Sequence, residues 1–369
     1  GDVFVFKLDE SGSFLHYATY IGGQDEDRGN SIAVSSTGEA YITGYTLSPR
    51  NSFPSKTVIG GTIAGKSVFV CKLSADGSTL TYSAYIGGAN HDVGNGIIVN
   101  KNGEATVVGE TQSSNFPTVS AHDATYNGGS SDAFYFTLNA NGDQLLYSTF
   151  LGGSGNDRGK AIAQGTTGIY VTGQTNSANF PTTTGAYDTS INGDFDAFIT
   201  KINGSTLGYS TFIGGIAGDE GNSIDVNSDG DAFITGYSFS PDYPKTIAGN
   251  LKGIKDVILT RLDKTGSFLN YSRFIGGALE DEGTSIIINS KDQAFIAGTT
   301  TSLDFPSVSN GINDADPLKD KEKQVFVMMI NETGEVIKKS VRVGGSFDDY
   351  KIPSLSFTNK NLICNVVVG

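Results

Sequence analysis

The sequence has no tryptophan, only two cysteines and three histidines, and no long run of apolar residues. The cysteines, Cys71 and Cys364, lie in apolar strand-like segments, so we predict two buried thiols and no disulfide framework. The longest apolar stretches, such as residues 325–330, are far shorter than the roughly 20 residues that span a bilayer. We therefore expect no transmembrane helix, signal peptide or lipid-anchor cysteine in this sequence.

Positive charge is also scarce. Lys and Arg number 25 against 39 Asp and Glu, which gives a net charge of −14. Such a chain repels phosphate backbones and anionic lipid head groups, so we expect no nucleic-acid partner and no membrane insertion. The 49 glycines and a hydrophobic fraction of 37% indicate a globular, turn-rich protein.

A Gly-Gly pair preceded by an apolar residue recurs six times along the chain. The first glycines of the pairs are Gly22, Gly87, Gly152, Gly214, Gly276 and Gly344. Ten residues before each pair, another glycine separates two alternating apolar runs and predicts a β-hairpin turn. These turn residues are Gly12, Gly77, Gly142, Gly204, Gly266 and Gly334. A second turn follows each pair, at Gly38, Gly103, Gly168, Gly230, Asp292 and residues 359–361.

Two hairpins per copy make four strands, which is one propeller blade. We predict an all-β protein, a six-bladed β-propeller in a single domain over residues 1–369. Five blades cover residues 24–88, 89–153, 154–215, 216–277 and 278–345. The third of these should contain strands at residues 161–163, 169–173, 196–202 and 207–212.

The closing blade should combine the two ends of the chain. Residues 346–369 would supply its first two strands and residues 1–23 its third and fourth. Third strands are apolar almost throughout, such as Val3 to Phe6, as expected for sheets covered on both faces. We therefore expect deletion of residues 1–15 to abolish folding.

Residues 147–162, 170–181 and 196–201 resemble the bacterial β-propeller repeat family called SBBP. A Gly-Gly pair, an Asp four residues after its second Gly, a Thr-Gly strand end and a Phe-Pro pair recur in that order. The resemblance spans the whole chain and implies a secreted or surface-exposed bacterial protein whose repeat has no generally assigned activity. The family name implies seven blades, whereas this sequence shows six. In the sixth copy, Tyr350 and Lys351 replace the usual Arg-Gly or Glu-Gly.

One aspartate stands four residues after the second Gly of every pair, just before the innermost strand. The six residues are Asp27, Asp92, Asp157, Asp219, Asp281 and Asp349. In a propeller they would form a ring near one mouth of the central channel. The structural interpretation is that each accepts backbone N–H groups and fixes the chain crossing. The alternative is a site for calcium or another hard cation, with neighbours such as Asp25, Glu220 or Asp348.

Phe-Pro pairs mark the long connections between second and third strands. They are Phe53-Pro54, Phe116-Pro117, Phe180-Pro181 and Phe305-Pro306, with Tyr243-Pro244 as the variant. We expect the aromatic ring to pack the loop onto the blade and the loop to share a face with the Asp ring.

Residues that differ between the copies are the better candidates for a binding site, because shared residues serve the fold. We select Arg28, His91, His122, Arg158, Tyr350 and the charged insertion at residues 314–323.

Motifs of hydrolytic enzymes are missing. The sequence has no Gly-x-Ser-x-Gly or His-Glu-x-x-His motif, and without Trp it cannot form sialidase-type Asp boxes. We predict a non-enzymatic, monomeric binding scaffold at the bacterial cell surface or outside the cell, with a protein or glycan partner. A calcium-stabilised spacer is the alternative, and a hydrolase or lyase with an Asp pair at the channel mouth is a further one.

Overall fold

The computed structural model describes residues 1–61, 65–308, 323–343, 350–357 and 362–368. All regular secondary structure in these ranges is β-strand. Within the same ranges, no helix is long and apolar enough to cross a membrane.

Strands follow one another along the chain as antiparallel hairpins. The first hairpin pairs β1 (Val3–Leu8) with β2 (Leu15–Ile21). Sheet 1 comprises β3 (Asp27–Val34), β4 (Ala40–Thr46), β5 (Thr57–Gly60), β6 (Ser67–Leu73) and β7 (Leu80–Gly87). Its spatial order is β3-β4-β6-β7-β5, and the short β5, which we did not predict, runs parallel to β7.

Four further sheets each contain four strands in consecutive order. Sheet 2 comprises β8 (Asp92–Val99), β9 (Ala105–Thr111), β10 (Asp132–Leu138) and β11 (Leu145–Leu151). Sheet 3 comprises β12 (Asp157–Gly165), β13 (Gly168–Thr175), β14 (Asp196–Asn203) and β15 (Thr206–Ile213). Sheet 4 comprises β16 (Asp219–Val226), β17 (Ala232–Ser238), β18 (Asp256–Leu262) and β19 (Leu269–Ile275).

Sheet 5 comprises β20 (Asp281–Ile288), β21 (Ala294–Thr300), β22 (Gln324–Ile330) and β23 (Ile337–Val343). The last hairpin pairs β24 (Tyr350–Phe357) with β25 (Leu362–Val368). The all-β prediction and the four strands per repeat are confirmed, and the strands predicted in the third copy all fall within β12 to β15.

Most of the hairpin turns contain a left-handed residue, which is usually glycine. The predicted turn glycines Gly12 to Gly334 have φ between 63° and 77°. At the second turns, Gly38, Gly103 and Gly230 are also left-handed, as is Asp292 with φ of 58°. The turn predicted at Gly168 lies one residue earlier, because Thr166 and Thr167 form the turn and Gly168 already begins β13.

The third strands of the five sheets are buried along almost their whole length. Val68 to Cys71 in β6 and Phe134 in β10 have no exposed surface, as predicted for sheets covered on both faces. β1 departs from this prediction, because Val3 and Val5 are buried whereas Phe4 is 49% and Phe6 46% exposed. Among the described residues, only the Val3 face of β1 is packed, against Gly29 of sheet 1.

The chain divides into two compact units, residues 1–162 with 177–181 and residues 163–176 with 182–369. Within each unit, an asparagine on a first strand binds the first strand of the next sheet. In the first unit, Asn30 and Asn95 donate to the carbonyls of Gly94 and Gly159, both at 2.9 Å. In the second unit, Asn222 donates to Gly283 at 3.0 Å. The prediction of a single domain stays a prediction.

Candidate functional site

Five of the six predicted ring aspartates begin the first strands of their sheets and are buried. They are Asp27, Asp92, Asp157, Asp219 and Asp281. Oδ2 of each accepts the backbone N–H of the second Gly of the pair, at 2.7–2.8 Å. The same oxygen accepts a serine hydroxyl at 2.8–3.1 Å. Asp349 lies outside the described residues.

We call this arrangement of Asp, Gly N–H and Ser hydroxyl the Asp corner. Its serines are Ser48, Ser113, Ser177, Ser240 and Ser302. Each serine oxygen also accepts a backbone N–H from the residue two before the aspartate, for example Ala217 to Ser240 at 2.9 Å. The carboxylate and the serine therefore hold the chain where it passes from one sheet to the next, which is the structural role given above for these aspartates.

The Asp corner is tied directly to the Phe-Pro loop. In four copies, the residue before the aromatic is Asn or Asp, and its Oδ1 accepts the N–H of the residue after the Gly-Gly pair at 2.7–3.0 Å. These acceptors are Asn115, Asn179, Asp242 and Asp304. We missed both the serine and this acceptor, although the pattern Ser-x-Asn/Asp-Phe/Tyr-Pro is present in four copies of the sequence.

The aromatic residue of each Phe-Pro pair is buried, as predicted. Phe116 stacks on Phe134 with ring centroids 4.5 Å apart, and Phe305 lies at the same distance from Phe326. Tyr243 lies 5.7 Å from Phe274, and its hydroxyl is 3.0 Å from that of Thr260. The ring fastens the loop to the third and fourth strands, so the loop and the Asp corner occupy the same edge of the sheet.

Burial raises the pKa of several corner carboxyls. It raises the pKa of Asp92 and Asp281, and the pKa of Asp219 to about 6, although hydrogen bonds oppose it in each case. One carboxylate oxygen is already occupied by two donors, which disfavours metal coordination through it. In the described part of the chain, no group of three or more His, Cys, Asp or Glu side chains is placed to hold a metal ion. The calcium hypothesis stays a prediction.

Four of the predicted binding residues are dispersed over several elements of the first unit. Arg28 is exposed on β3 opposite Tyr45, and Arg158 on β12 forms an ion pair with Glu110 at 2.9 Å. His91 precedes β8, where its Nδ1 accepts the N–H of Lys66 at 2.9 Å. His122 lies in the loop after β9, and its backbone N–H donates to the Tyr147 hydroxyl.

In the described ranges, no contact is seen between any two of these four side chains. Tyr350 begins β24, and nothing is described of its side chain. Residues 314–322 of the charged insertion lie outside the described residues. Cys71 is buried and free, with a pKa raised to about 12 by burial, and the thiol of Cys364 is not described.

A Tyr and Lys pair beside the Asp corner was not predicted. In sheet 4, the Lys255 ammonium lies 4.4 Å from the centre of the Tyr237 ring and 2.8 Å from Glu282, and Tyr237 donates to Glu220. In sheet 1, Lys66 lies 3.9 Å from the centre of the Tyr45 ring. The equivalent position of Tyr45 and Tyr237 is Glu110 in sheet 2 and Thr299 in sheet 5.

Repeated four-stranded antiparallel sheets, each linked to the next by the same Asp corner, define a β-propeller repeat protein. Residues 16–54 match the SBBP family model, described as a beta-propeller repeat, so the chain carries an SBBP repeat and the resemblance is confirmed. The matched segment contains Asp27, Ser48 and the Phe53-Pro54 pair, and so it includes a complete Asp corner and the aromatic residue of its loop. No curated protein matches the chain.

Two solved structures are similar along most of their length. One is a protein of unknown function from Dyadobacter fermentans DSM 18053, with 12% identity, covering 95% of this chain and 93% of that one, at a TM-score of 0.49. The other is apo AztD from Citrobacter koseri, with 12% identity, covering 98% and 86%, at a TM-score of 0.41. Similarity at these levels carries no argument about function.

Proposed function

We propose that this protein is a non-enzymatic binding scaffold, displayed outside a bacterial cell, that recognises a protein or glycan through the edge carrying the Asp corners and Phe-Pro loops. The observation that carries the proposal is that structural and variable residues occupy separate positions at this edge. Residues shared by the repeats are buried in the corner or under the loop, whereas the residues beside them differ from sheet to sheet. A recognition surface needs such variation on a fixed frame.

The variable positions offer the chemistry of recognition. Arg28 is exposed, and Tyr237, Lys255 and Glu282 combine an aromatic ring with both charges in one contact group. Amphipathic rings and charged groups of this kind supply orientation and specificity at protein surfaces. We propose no catalytic nucleophile and no general base among these residues. We therefore expect that the bound partner is not chemically converted.

Binding assays on glycan and peptide arrays test this proposal. We compare the intact protein with the variants Arg28→Ala and Tyr237→Ala/Lys255→Ala. The matched control is Lys101→Ala, an exposed lysine in the turn between β8 and β9. We expect at least one array ligand to bind the parent and the control and to be lost, by tenfold or more in affinity, in an edge variant. Equal binding by all four proteins, or chemical turnover of the ligand, would contradict the proposal.

Calcium support of the same edge is tested separately. Thermal melts of chelator-treated protein with and without calcium would reveal a stabilising cation as a rise in the melting temperature. No shift would leave the corner aspartates with hydrogen bonding as their only role.

We further propose that the fold is a closed six-bladed propeller. The supporting observation is that β1 with β2 and β24 with β25 are half sheets of complementary kind. Three apolar side chains of this first hairpin are exposed, namely Phe4, Phe6 and Tyr20. The residues at the same positions of sheet 1 are all buried, namely Phe69, Cys71 and Tyr85. Joining the half sheets as β24-β25-β1-β2 would cover this apolar face against a neighbouring blade.

An engineered disulfide tests closure. By analogy with the register of β9 on β10 in sheet 2, Val366 should lie opposite Val5. In a Cys71→Ser/Cys364→Ser background, we expect Val5→Cys/Val366→Cys to form an intramolecular disulfide. The control pair Val5→Cys/Val367→Cys places its thiols on opposite faces of the sheet, and we expect it to form no disulfide. Failure of the first pair, or equal oxidation of both, would count against closure.

A further inference from the structure

In each of the five sheets, the first residue of the third strand is a buried polar residue at the same edge as the Asp corner. It is aspartate in three sheets, Asp132, Asp196 and Asp256, all with at most 1% of their surface exposed. In sheets 1 and 5 the same position is Ser67 and Gln324, which carry no charge. The sequence pattern therefore places acid at this position in only three of the five sheets.

Each of these aspartates faces the corner aspartate of the next repeat, with the first Gly of the Gly-Gly pair between them. A methyl group added to Gly276 would lie 2.4 Å from Asp256 Oδ1 and 2.8 Å from Asp281 Oδ2. One added to Gly152 would lie 2.7 Å from Asp157 Oδ2 and 3.1 Å from Asp132 Cγ. Asp196 approaches Gly214 in the same way, with Oδ1 at 2.4 Å from such a methyl. The three acid pairs are thus 132/157, 196/219 and 256/281.

The surroundings of the pairs disfavour two negative charges. Oδ2 of Asp132 accepts one backbone N–H, from Asn127, while Oδ1 has no donor among the described residues. Asp196 is arranged alike, because its Oδ2 accepts the backbone N–H of Asn192 and its Oδ1 has no partner in the described structure. Burial first, and then the neighbouring carboxylate, raise the pKa of Asp132 and of Asp196 to about 7.

Other titratable groups near the pairs are mostly acidic. Asp123 and Tyr126 face the first pair, and Asp188, Asp242 and Tyr243 face the second. The third pair has Asp304 and one cation, Lys252, which opposes the rise of the Asp256 pKa. No cation is among the groups that shift the pKa of Asp132 or of Asp196.

We propose that each of these three acid pairs retains one proton at neutral pH and that the loop edge loosens when the pH rises and both carboxyls become charged. The retained proton gives one member of the pair a hydroxyl and removes the repulsion across the glycine. This is a conformational device that the binding function does not require.

The direction of the pH dependence follows from proton linkage. A carboxyl whose pKa is raised from 3.8 to about 7 binds more protons in the folded than in the unfolded state between these values. The contribution of this proton to the free energy of unfolding is complete when the pH is below the pKa of the carboxyl in the unfolded state. It is lost as the pH rises through the pKa of the carboxyl in the folded state. For each retained proton, the unfolding equilibrium constant should rise about tenfold per pH unit within that window.

Urea unfolding of the full chain at a series of pH values between roughly 4.5 and 9 tests the proposal. The test variant is Asp132→Asn/Asp196→Asn/Asp256→Asn, and Asp76→Asn, in an exposed turn, is the matched control. We expect the parent and the control to lose stability as the pH rises, and the triple variant to show a flatter profile and to be the most stable protein at alkaline pH. The same slope in the triple variant and the parent would overturn the proposal.

Carboxyl carbon NMR of the folded parent provides a readout that does not depend on the variant folding. We expect aspartate carboxyl signals that titrate near neutrality and that are absent from a variant carrying the residues of sheets 1 and 5, Asp132→Ser/Asp196→Ser/Asp256→Gln. If every aspartate carboxyl of the native parent titrates below about pH 5, within the ordinary range for this group, the pairs hold no proton and the proposal fails.

Discussion

A corner aspartate suits its position because its short carboxylate can accept several donors at one point. In Asp219, Oδ2 receives both the Gly215 N–H and the Ser240 hydroxyl, at 2.7 and 2.8 Å. Hydrogen bonds to an ionised acceptor are about twice as strong as neutral ones. They offset part of the free energy that burial of the charge costs. The serine is as necessary to this balance as the aspartate.

Removing the corner serine should destabilise the fold. In Ser240→Ala, Asp219 loses one donor and the Ala217 N–H loses its acceptor. We expect a loss of about 1–3 kcal/mol in the free energy of unfolding, because buried polar atoms are left unpaired. Urea unfolding measures this loss. The control Ser228→Ala, at an exposed turn position, should stay within about 0.5 kcal/mol of the parent. Equal effects of the two changes would contradict the role given to Ser240.

The first glycine of the pair is required by close approach and not by its backbone angle. In Gly276→Ala, the new methyl group would meet carboxylate oxygens of both Asp256 and Asp281. We expect a cost of about 1–3 kcal/mol, typical of overpacking, measured as a shift of the urea midpoint. Gly218→Ala is the control, because its nearest neighbour would be Phe239 at 3.7 Å. A Gly276→Ala protein as stable as the control would show that the two carboxyls can separate freely.

Elements were predicted well where local chemistry determines them. The hairpin glycines fixed the turns, and the alternating or continuous apolar runs fixed the strands, because both signals act within a few residues. β5 was missed, since its pairing with β7 depends on how a long loop folds back. The corner serines escaped for a related reason, because their bonds to the aspartates connect residues about 20 positions apart in the chain.

Loop attachment depends on one aromatic side chain per repeat. In Phe116→Ala, the ring contacts with Phe134 and Phe150 disappear and a cavity forms under the loop. We expect a loss of about 3–5 kcal/mol in the free energy of unfolding, measured by urea unfolding. Phe268→Ala, at a side chain that is 55% exposed, should cost much less. Similar losses for both variants would mean that the Phe116 ring is not what fastens the loop.

At the scale of the molecule, the ends of the chain matter more than their length suggests. Deletion of residues 1–15 removes the buried Val3 and Val5 and the bond from the Asp27 N–H to the Gly1 carbonyl. Each fully buried apolar side chain contributes roughly 1.5–3 kcal/mol, against a typical total stability of about 5–15 kcal/mol. We expect the truncated chain to lose its cooperative thermal transition, followed by circular dichroism.

The control for this deletion is Glu10→Ala, in the exposed turn of the same hairpin, which should melt like the parent. A cooperative, native-like melt of the truncated chain would show that the first hairpin is dispensable. The sequence predicted that the two ends complete a blade, but the exposed Phe4 and Phe6 could not be foreseen from apolar patterning alone, which does not say what covers each face.

The asparagine bonds between successive first strands have an evolutionary consequence. Asn30, Asn95 and Asn222 each reach one repeat forward, to a glycine carbonyl that is itself part of the repeat. The donor asparagine and the acceptor glycine carbonyl thus recur in three copies, whereas Lys160 stands at the asparagine position in sheet 3 and Thr284 in sheet 5. A gene encoding such a chain could gain or lose whole copies by recombination, because copies that share this asparagine and glycine can follow one another with the same bond. Differences in blade number between relatives would then require no new contacts between the copies.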